Sequence, residues 1–298
     1  MAANAENPKL FSVIIPNLNT PGVGQAIDSL ENQTFDRDRY EVIVVGMDRY
    51  GAVTESDLVC FDRSETPLAP AAARNRGARR ASGEVLVFMD ADCIASSDWL
   101  AEFARLFASS QVHVAGGGVW FQAQNYWTLA DNLSMFYEFL HHHAPGLRPQ
   151  LPSLNLAVRK ADFLAIGGFD ERYPRAAGED ADLTLRLRQA GFQLYFEPRA
   201  AVQHAPSRDR LSNLLRHAYY QGMYSTKVDP RYQPEEGNSW FLRGRLRLRL
   251  FAPLIALGAT WRVFTSHPQM LRFRYTAPAI YLAKIAWCLG AARHPRDF

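Results

Sequence analysis

Cysteine is scarce. Cys60, Cys93 and Cys288 are the only three in 298 residues, widely spaced and without a Cys-x-x-Cys pair, which excludes a disulfide framework and a ribbon-type zinc site. A reducing compartment suits such a chain, so a cytoplasmic location is expected. Net charge is also small: 33 Lys and Arg against 30 Asp and Glu leave +3, too balanced for bulk nucleic-acid binding, and no nucleic-acid partner is expected. The opening residues Met1-Ala2-Ala3-Asn4-Ala5-Glu6-Asn7-Pro8 have no basic start followed by an apolar run, so a signal peptide is not expected there. Internal repeats and long low-complexity tracts are absent. What is present, 48% hydrophobic residues, is enough for one large α/β domain with an appendage.

Short apolar runs alternate with helical patterns along the first two thirds. Phe11 to Ile15 reads as a strand ended by Pro16, Gly24 to Gln33 as a helix, and Glu41 to Val45 as a strand ended by Gly46. Leu58 to Phe61, an Ala/Arg-rich helix over 69–81 and a strand over Glu84 to Met89 follow, and the alternation predicts a mostly parallel sheet. Further on, the pattern predicts a helix from Ser97 to about Ala108 and a strand over Val112 to Ala115. The triplet Gly116-Gly117-Gly118 reads as a bend, and Tyr126 to His143 as an aromatic helix. Then come a strand over Leu154 to Val158, a helix from about Lys160, a helix over Gly178 to Ala190 and two short strands before His204. Leu211 to Lys227 is a further predicted helix, and Asp229 to Ser239 a polar loop.

The chemistry starts at Met89-Asp90-Ala91-Asp92. A strand buried on both faces delivers two carboxylates to its carboxyl edge, where an open α/β sheet holds a phosphate ligand. One carboxylate can reach a divalent cation while the other holds a ribose or base. The bland alternative is that both merely cap the helix that follows.

Taken in order, Ser12-Val13-Ile14-Ile15-Pro16-Asn17-Leu18-Asn19, Ala73-Arg74-Asn75-Arg76-Gly77, Asp90-Ala91-Asp92, Gly167-Gly168-Phe169-Asp170-Glu171 and Gly178-Glu179-Asp180-Ala181-Asp182-Leu183 resemble the motif series of the family 2 glycosyltransferases, over roughly residues 10 to 206. The resemblance implies the glycosyltransferase A fold: a mostly parallel nucleotide-binding sheet flanked by helices, here with a C-terminal helical appendage. It implies a nucleotide-sugar donor, a UDP-sugar first of all, and Mn²⁺ or Mg²⁺ as cofactor. The nucleotide diphosphate leaves readily only when its charge is neutralised, a task for a carboxylate-held metal. By the resemblance Asp92 is a metal ligand and Asp90 a nucleoside contact. Arg74 stands where relatives contact the base, Pro16, Asn19, Asp48 and Glu179 fall on the donor side, and His204 stands where many relatives place a metal or diphosphate ligand. An acceptor hydroxyl needs its proton removed as it attacks, and Asp180, in the Glu-Asp pair at a helix start, is the expected base for direct displacement with inversion. Glu179 and Asp182 would also suit a first helical turn for the macrodipole alone.

Gly46 departs from the family pattern. Relatives usually end the second strand with an Asp that binds uracil, whereas Val44-Val45 is followed here by Gly46-Met47-Asp48, so Asp48 either takes over or the base is GDP's or TDP's. Leu18 stands where many relatives have an aromatic residue. His141-His142-His143 suggests metal binding by composition, but consecutive helical residues diverge, and a helix terminus near the acceptor cleft is the simpler reading. Trp120, Tyr126 and Trp127 suit either a sugar platform or the core.

Three segments are expected: a catalytic domain over 8–206, a helix and linker over 207–244, and a hydrophobic, basic segment over 245–298. In the last, Arg243, Arg245, Arg247 and Arg249 lead into Leu250 to Thr260, too short to span about 30 Å of hydrocarbon, and Tyr275 to Ala292, interrupted by Lys284. Arg-rich flanks with Trp261, Tyr275, Tyr281 and Trp287 fit helices on the inner face of a membrane, with an acceptor in envelope glycan or lipid-linked glycan assembly. Packing on the catalytic domain is the alternative. Two other functions compete: an Asp-x-Asp phosphatase, disfavoured by Ile94 two residues after the second Asp, and a degenerate sugar-nucleotide-binding scaffold, motivated by Gly46.

Overall fold

The computed structural model of the chain describes residues 8–122, 125–229, 231–232, 240–242 and 244–295. Its strands and helices are, in order, β1 (Phe11–Leu18), α1 (Val23–Glu31), β2 (Tyr40–Met47), β3 (Val59–Arg63), α2 (Pro70–Arg80), β4 (Val85–Met89), β5 (Cys93–Ala95), α3 (Trp99–Phe107), β6 (Val114–Trp120), α4 (Tyr126–Phe136), β7 (Gly146–Leu147), β8 (Asn155–Arg159), α5 (Lys160–Ala165), α6 (Glu179–Gln189), β9 (Leu194–His204), α7 (Leu211–Met223), α8 (Arg245–Leu250), α9 (Ala252–Thr265) and α10 (Ala277–Ala291). The strands form one sheet in the order β3-β2-β1-β4-β8-β6-β9-β5, with β7 paired to β9. The half from β3 to β4 is parallel, as the alternation predicts. Beyond β4 the sheet is mixed: β8 runs antiparallel to both β4 and β6, β6 and β9 are parallel, and β5 is antiparallel to β9.

Both faces of the sheet are covered, which is why β1 and β4 read as continuous apolar runs. Phe11, Val13, Ile15, Val85, Val87 and Met89 face a core shared with α1 and α3, whereas Ile14, Leu86 and Phe88 face one shared with α2, α5 and α6. Pro16 does not end β1, which runs on to Leu18. The proline is tolerated because β1 pairs with β4 only from Phe11 to Ile14, so at Pro16 only β2 lies alongside. Gly46 likewise sits inside β2 rather than after it.

The glycine triplet is not a bend. It lies in β6, a strand so crowded that a Cβ at Gly117 would stand 1.9 Å from Ala200 O and one at Gly118 2.4 Å from Pro198 O. Asn155 fills that seam, its amide donating to Gly118 O (3.0 Å) and Ala200 O (2.9 Å) while its own oxygen accepts from Trp99 Nε1 (2.9 Å). The predicted pair of strands before His204 is one strand, β9, and α7 stops four residues before Lys227. The helix expected over Tyr126 to His143 ends at Phe136 in a short 3₁₀ turn, after which His141 N donates to Val119 O (3.0 Å). With the helix ended, His142 and His143 stack and meet His267, the ring centroids 4.4 to 5.3 Å apart.

The helical layer draws on all three expected segments. α4, α7, α9 and α10 share one apolar cluster containing Leu129, Leu133, Leu214, Ala218, Val263, Ile280 and Ala283. Backbones of α7 and α10 nearly touch: a Cβ on Gly222 would lie 1.9 Å from Trp287 O, and one on Gly290 1.8 Å from Tyr219 O. Lys284, the residue that interrupts the apolar pattern of α10, donates from Nζ to Ser134 O (2.7 Å) in the last turn of α4, where a cation suits the helix end. No described helix is long and apolar enough to cross a membrane. Most of the expected 229–239 loop, and Arg243, lie outside the described residues.

Candidate active site

Asp90 and Asp92 follow the last residue of β4, as the sequence predicts, and the pair is held by two different devices. Arg74, on α2, is 2% exposed in its side chain and donates to Asp90 Oδ1 (2.6 Å) and to Glu179 Oε1 (3.0 Å) at the start of α6. Burial works against its charge, but Asp90 and Glu179 outweigh burial and keep the guanidinium protonated. Arg74 is therefore a buried bridge between two acidic motifs that are far apart in sequence. The remainder of its motif is explained by neighbours. Asn75 bonds Phe169 N (2.9 Å) and Phe169 O (2.8 Å) of the Gly-Gly-Phe-Asp-Glu turn, Arg76 pairs with Asp62, and Gly77 lets α2 press on Ile14.

Asp92 is positioned by strand pairing. β5 lies antiparallel to β9 with Cys93 opposite His204, which brings His204 Nε2 to 3.6 Å from Asp92 Oδ1. His204 Nδ1 lies 2.7 Å from Asn132 Oδ1, and Asn132 Nδ2 donates to His204 O, which fixes the amide orientation. An amide oxygen only accepts, so the imidazole carries its proton on Nδ1 and directs the Nε2 lone pair towards Asp92. Burial, then the nearby charge of Arg208, holds the His204 pKa down at about 3, so the imidazole is neutral at physiological pH. Ligand atoms of Asp92, Cys93 and His204 all lie within 4.8 Å of one another. Burial raises the Cys93 thiol well above its ordinary value. Asp92 and His204 offer one carboxylate and one neutral imidazole, and such donors fit Mn²⁺ better than Mg²⁺.

Behind this pair lies a cluster that sequence reasoning missed. Asp131, on α4, accepts from Arg208 Nη1 (3.0 Å) and faces His217 Nδ1 (2.7 Å), a histidine of α7. Burial opposes ionisation of Asp131, but His217 and Arg208 outweigh it and bring its pKa down to about 2. Asp131 thus holds Arg208 beside Asp92 and His204, and the guanidinium acts on both. Its only sequence signal was the pairing of an acidic residue on one helix with a histidine on another, invisible before the helices are packed.

α6 supplies the second acidic half. Gly178 begins it at φ +86°, where a Cβ would meet Tyr224 O at 2.1 Å, and Glu179, Asp180 and Asp182 occupy the first turn. Glu179 is buried, and its carboxyl is pushed up by burial and by Asp180 despite Arg74. Its Oε2, like Arg74 Nε, is buried without a hydrogen-bond partner among the described residues, an arrangement that a bound polar ligand would complete. Asp180 is half-buried, accepts from Ala181 N (2.8 Å) and Ser153 N (3.4 Å), and is also raised by burial. Asp182 points elsewhere: it pairs with Arg186 and accepts from Tyr232, which makes it a structural residue.

At the ends of β1 and β2, Asn19 takes φ +56° and accepts from Arg49 N (2.8 Å). Half-buried Pro16 pairs in register with Val45, and Leu18 is 53% exposed. Asp48 accepts from Tyr50 N (3.2 Å) and Val53 N (2.7 Å), so both its oxygens close its own loop. Gly46 has φ +132°, and a Cβ there would stand 2.1 Å from Asn17 O; the strand contact itself excludes an Asp. The three-histidine run gathers no metal-ligand set among the described residues, and burial with the neighbouring histidines holds His142 neutral, its pKa lowered to about 4.

Solved structures share this fold. A mannosyltransferase from Pyrobaculum calidifontis, solved with GDP-Man and Mn²⁺, superposes with a TM-score of 0.60 at 19% identity over 94% of this chain and 88% of its own. The fold is that of the glycosyltransferase A class. The chain belongs to glycosyl transferase family 2, whose family model matches residues 12–159. Among curated relatives, the glycosyltransferase AglE of Haloferax volcanii is 28% identical over 194 residues, which are 62% of this chain and 63% of that protein. A glucosyl-dolichyl phosphate glucuronosyltransferase of the same organism is 23% identical over 71% of this chain and 73% of its own length.

Proposed function

We propose that this chain is an inverting, metal-dependent glycosyltransferase that moves a sugar from a nucleoside diphosphate donor to a hydroxyl of an envelope glycan or lipid-linked acceptor. The observation that carries the reading is the Arg74 bridge: it joins the carboxylates after β4 to the Glu-Asp start of α6, so a metal-and-nucleotide half and a proton-accepting half form one site. Asp92 and His204 would hold the divalent cation, which when bound neutralises the departing diphosphate. Arg208, anchored by Asp131, stands where it would share that charge. Asp90 would contact the nucleoside. Asp180 would take the acceptor proton, and its half-buried position with a raised pKa suits a base working near neutrality. UDP-sugars are the first donors to test, but with Gly46 unable to become Asp and Asp48 bound to its own loop, GDP- and TDP-sugars belong in the same panel. A cytoplasmic enzyme peripheral to the membrane fits a lipid-linked acceptor.

Hydrolysis and thermal shift with UDP-, GDP- and TDP-sugars, each with Mn²⁺ or Mg²⁺, test this reading. Asp92→Asn should lose the metal-dependent nucleotide shift. Asp180→Asn should keep that shift and lose turnover by about 10²–10⁴-fold. If no donor is turned over and no nucleotide raises the melting temperature, the enzyme reading fails; nucleotide binding without turnover on any acceptor would favour a degenerate sugar-nucleotide-binding protein.

A further inference from the structure

Eleven of the 15 exposed large apolar side chains among the described residues lie between Trp240 and Leu289. Five of them form a single row: Leu246, Leu250, Leu254, Leu257 and Trp261 are 68, 66, 63, 60 and 71% exposed. Their spacing of four, four, three and four residues keeps them on one side of α8 and on into α9. A helix packed on a water-soluble domain turns its polar side outward, and here the order is reversed, because Ala252, Ala256, Thr260 and Val263 face inward. The row is flanked by exposed Arg245, Arg249 and Arg262, and residues 240–295 contain no Asp or Glu. Next to Leu250, a cleft between α7, α8 and α10 is lined by Tyr219, Arg249, Leu289 and Arg293.

We propose that this face of α8 and α9 docks in plane on an anionic lipid bilayer, with the leucine row and Trp261 in the acyl boundary and Arg249 and Arg293 on a lipid phosphate. Apolar area and basic charge are the two terms that bind an interfacial helix to anionic lipid. A second copy of the chain fits less well, since the same face would bring uncompensated guanidinium groups against each other. α10, the more apolar in sequence, is packed on α7 and α4, and α9 carries the outward apolar row. The surface is distinct from the transfer site, so vesicle binding and donor turnover stand or fall separately.

Cosedimentation of the full chain with phosphatidylglycerol/phosphatidylcholine vesicles and with pure phosphatidylcholine vesicles tests it. The protein should bind the anionic vesicles, weakly bind the neutral ones and release in high salt. Leu254→Ser/Leu257→Ser should weaken binding by about tenfold or more, as expected for lost apolar burial, and Arg249→Glu/Arg293→Glu should erase the preference for the anionic lipid. Melting temperature and nucleotide binding, unchanged in both variants, show that they fold. Absence of binding to anionic vesicles, or equal binding by the leucine variant, overturns the proposal. So does a concentration-dependent dimer, seen by light scattering, that the same leucine substitutions dissolve.

Discussion

Replacing Arg74 with Met should expose how strongly the site is held together. The guanidinium is 2% exposed and serves two carboxylates, Glu179 at 3% exposure and Asp90 at 29%. Removing one partner of a buried ion pair costs about 3–5 kcal/mol, and the Asp90 share is discounted because water reaches that carboxylate. The expected loss at pH 8 is therefore about 3–4 kcal/mol, drawn mostly from Glu179, or about 6–8 °C in melting temperature at roughly 2 °C per kcal/mol for a chain of this size. The pH dependence follows from burial and Asp180, which already raise the Glu179 carboxyl, and from Arg74, which is the group pulling it down. A carboxyl raised in the folded state contributes stability that is complete below its unfolded value and is lost as pH rises through its folded value. Without Arg74 the folded value rises further, so the variant should lose less at pH 5 than at pH 8. Urea unfolding of the unliganded protein at both pH values measures this, and Arg74→Met/Glu179→Gln should recover most of the loss. A loss below about 1 kcal/mol that is equal at the two pH values, with no rescue by Glu179→Gln, would refute the buried bridge.

Asp131→Asn should cost about 2 kcal/mol at pH 7, because the carboxyl falls from 3.8 unfolded to about 2 folded. That depressed value gives stability present above pH 3.8 and lost as pH falls towards 2, so the gap between wild type and variant should narrow to roughly half at about pH 3; denaturation curves in neutral and acid buffer check it. Gly46→Asp, which writes the usual family residue into β2, should destabilise by at least about 2 kcal/mol, since it combines a left-handed φ with a backbone collision. An unchanged urea midpoint together with tighter UDP binding would show that the strand adapts instead.

The parallel half of the sheet was legible because β1 and β4 are buried on both faces and bounded by turn residues. Asp90, Asp92 and the Glu179-Asp180 pair could be located because strand ends and helix starts carry local signatures. Two kinds of feature could not be read. The antiparallel insertion of β8 beside β4 depends on long-range pairing that leaves no period in the sequence. The triplet Gly116-Gly117-Gly118 reads as a bend when seen alone, and only the neighbouring Asn155, Pro198 and Ala200 show that a strand needs the missing side chains. Arg74 was expected from the resemblance to contact the nucleotide base, and its burial between two acids was visible only once α2 was seated on β1 and β2. Asp131, Arg208 and His217 come from three separate segments and share no motif.

The contact between Gly222 and Trp287, and its mirror between Gly290 and Tyr219, limits how such a protein can be rearranged in evolution. α7 carries His217 towards the site and offers its backbone to α10 on another side, and neither helix tolerates a side chain at the crossing. The helical layer is therefore not a tail that recombination can exchange freely at the end of the sheet. A new C-terminal segment would have to arrive with its own small residue in register, and the two parts are expected to be inherited as a matched pair.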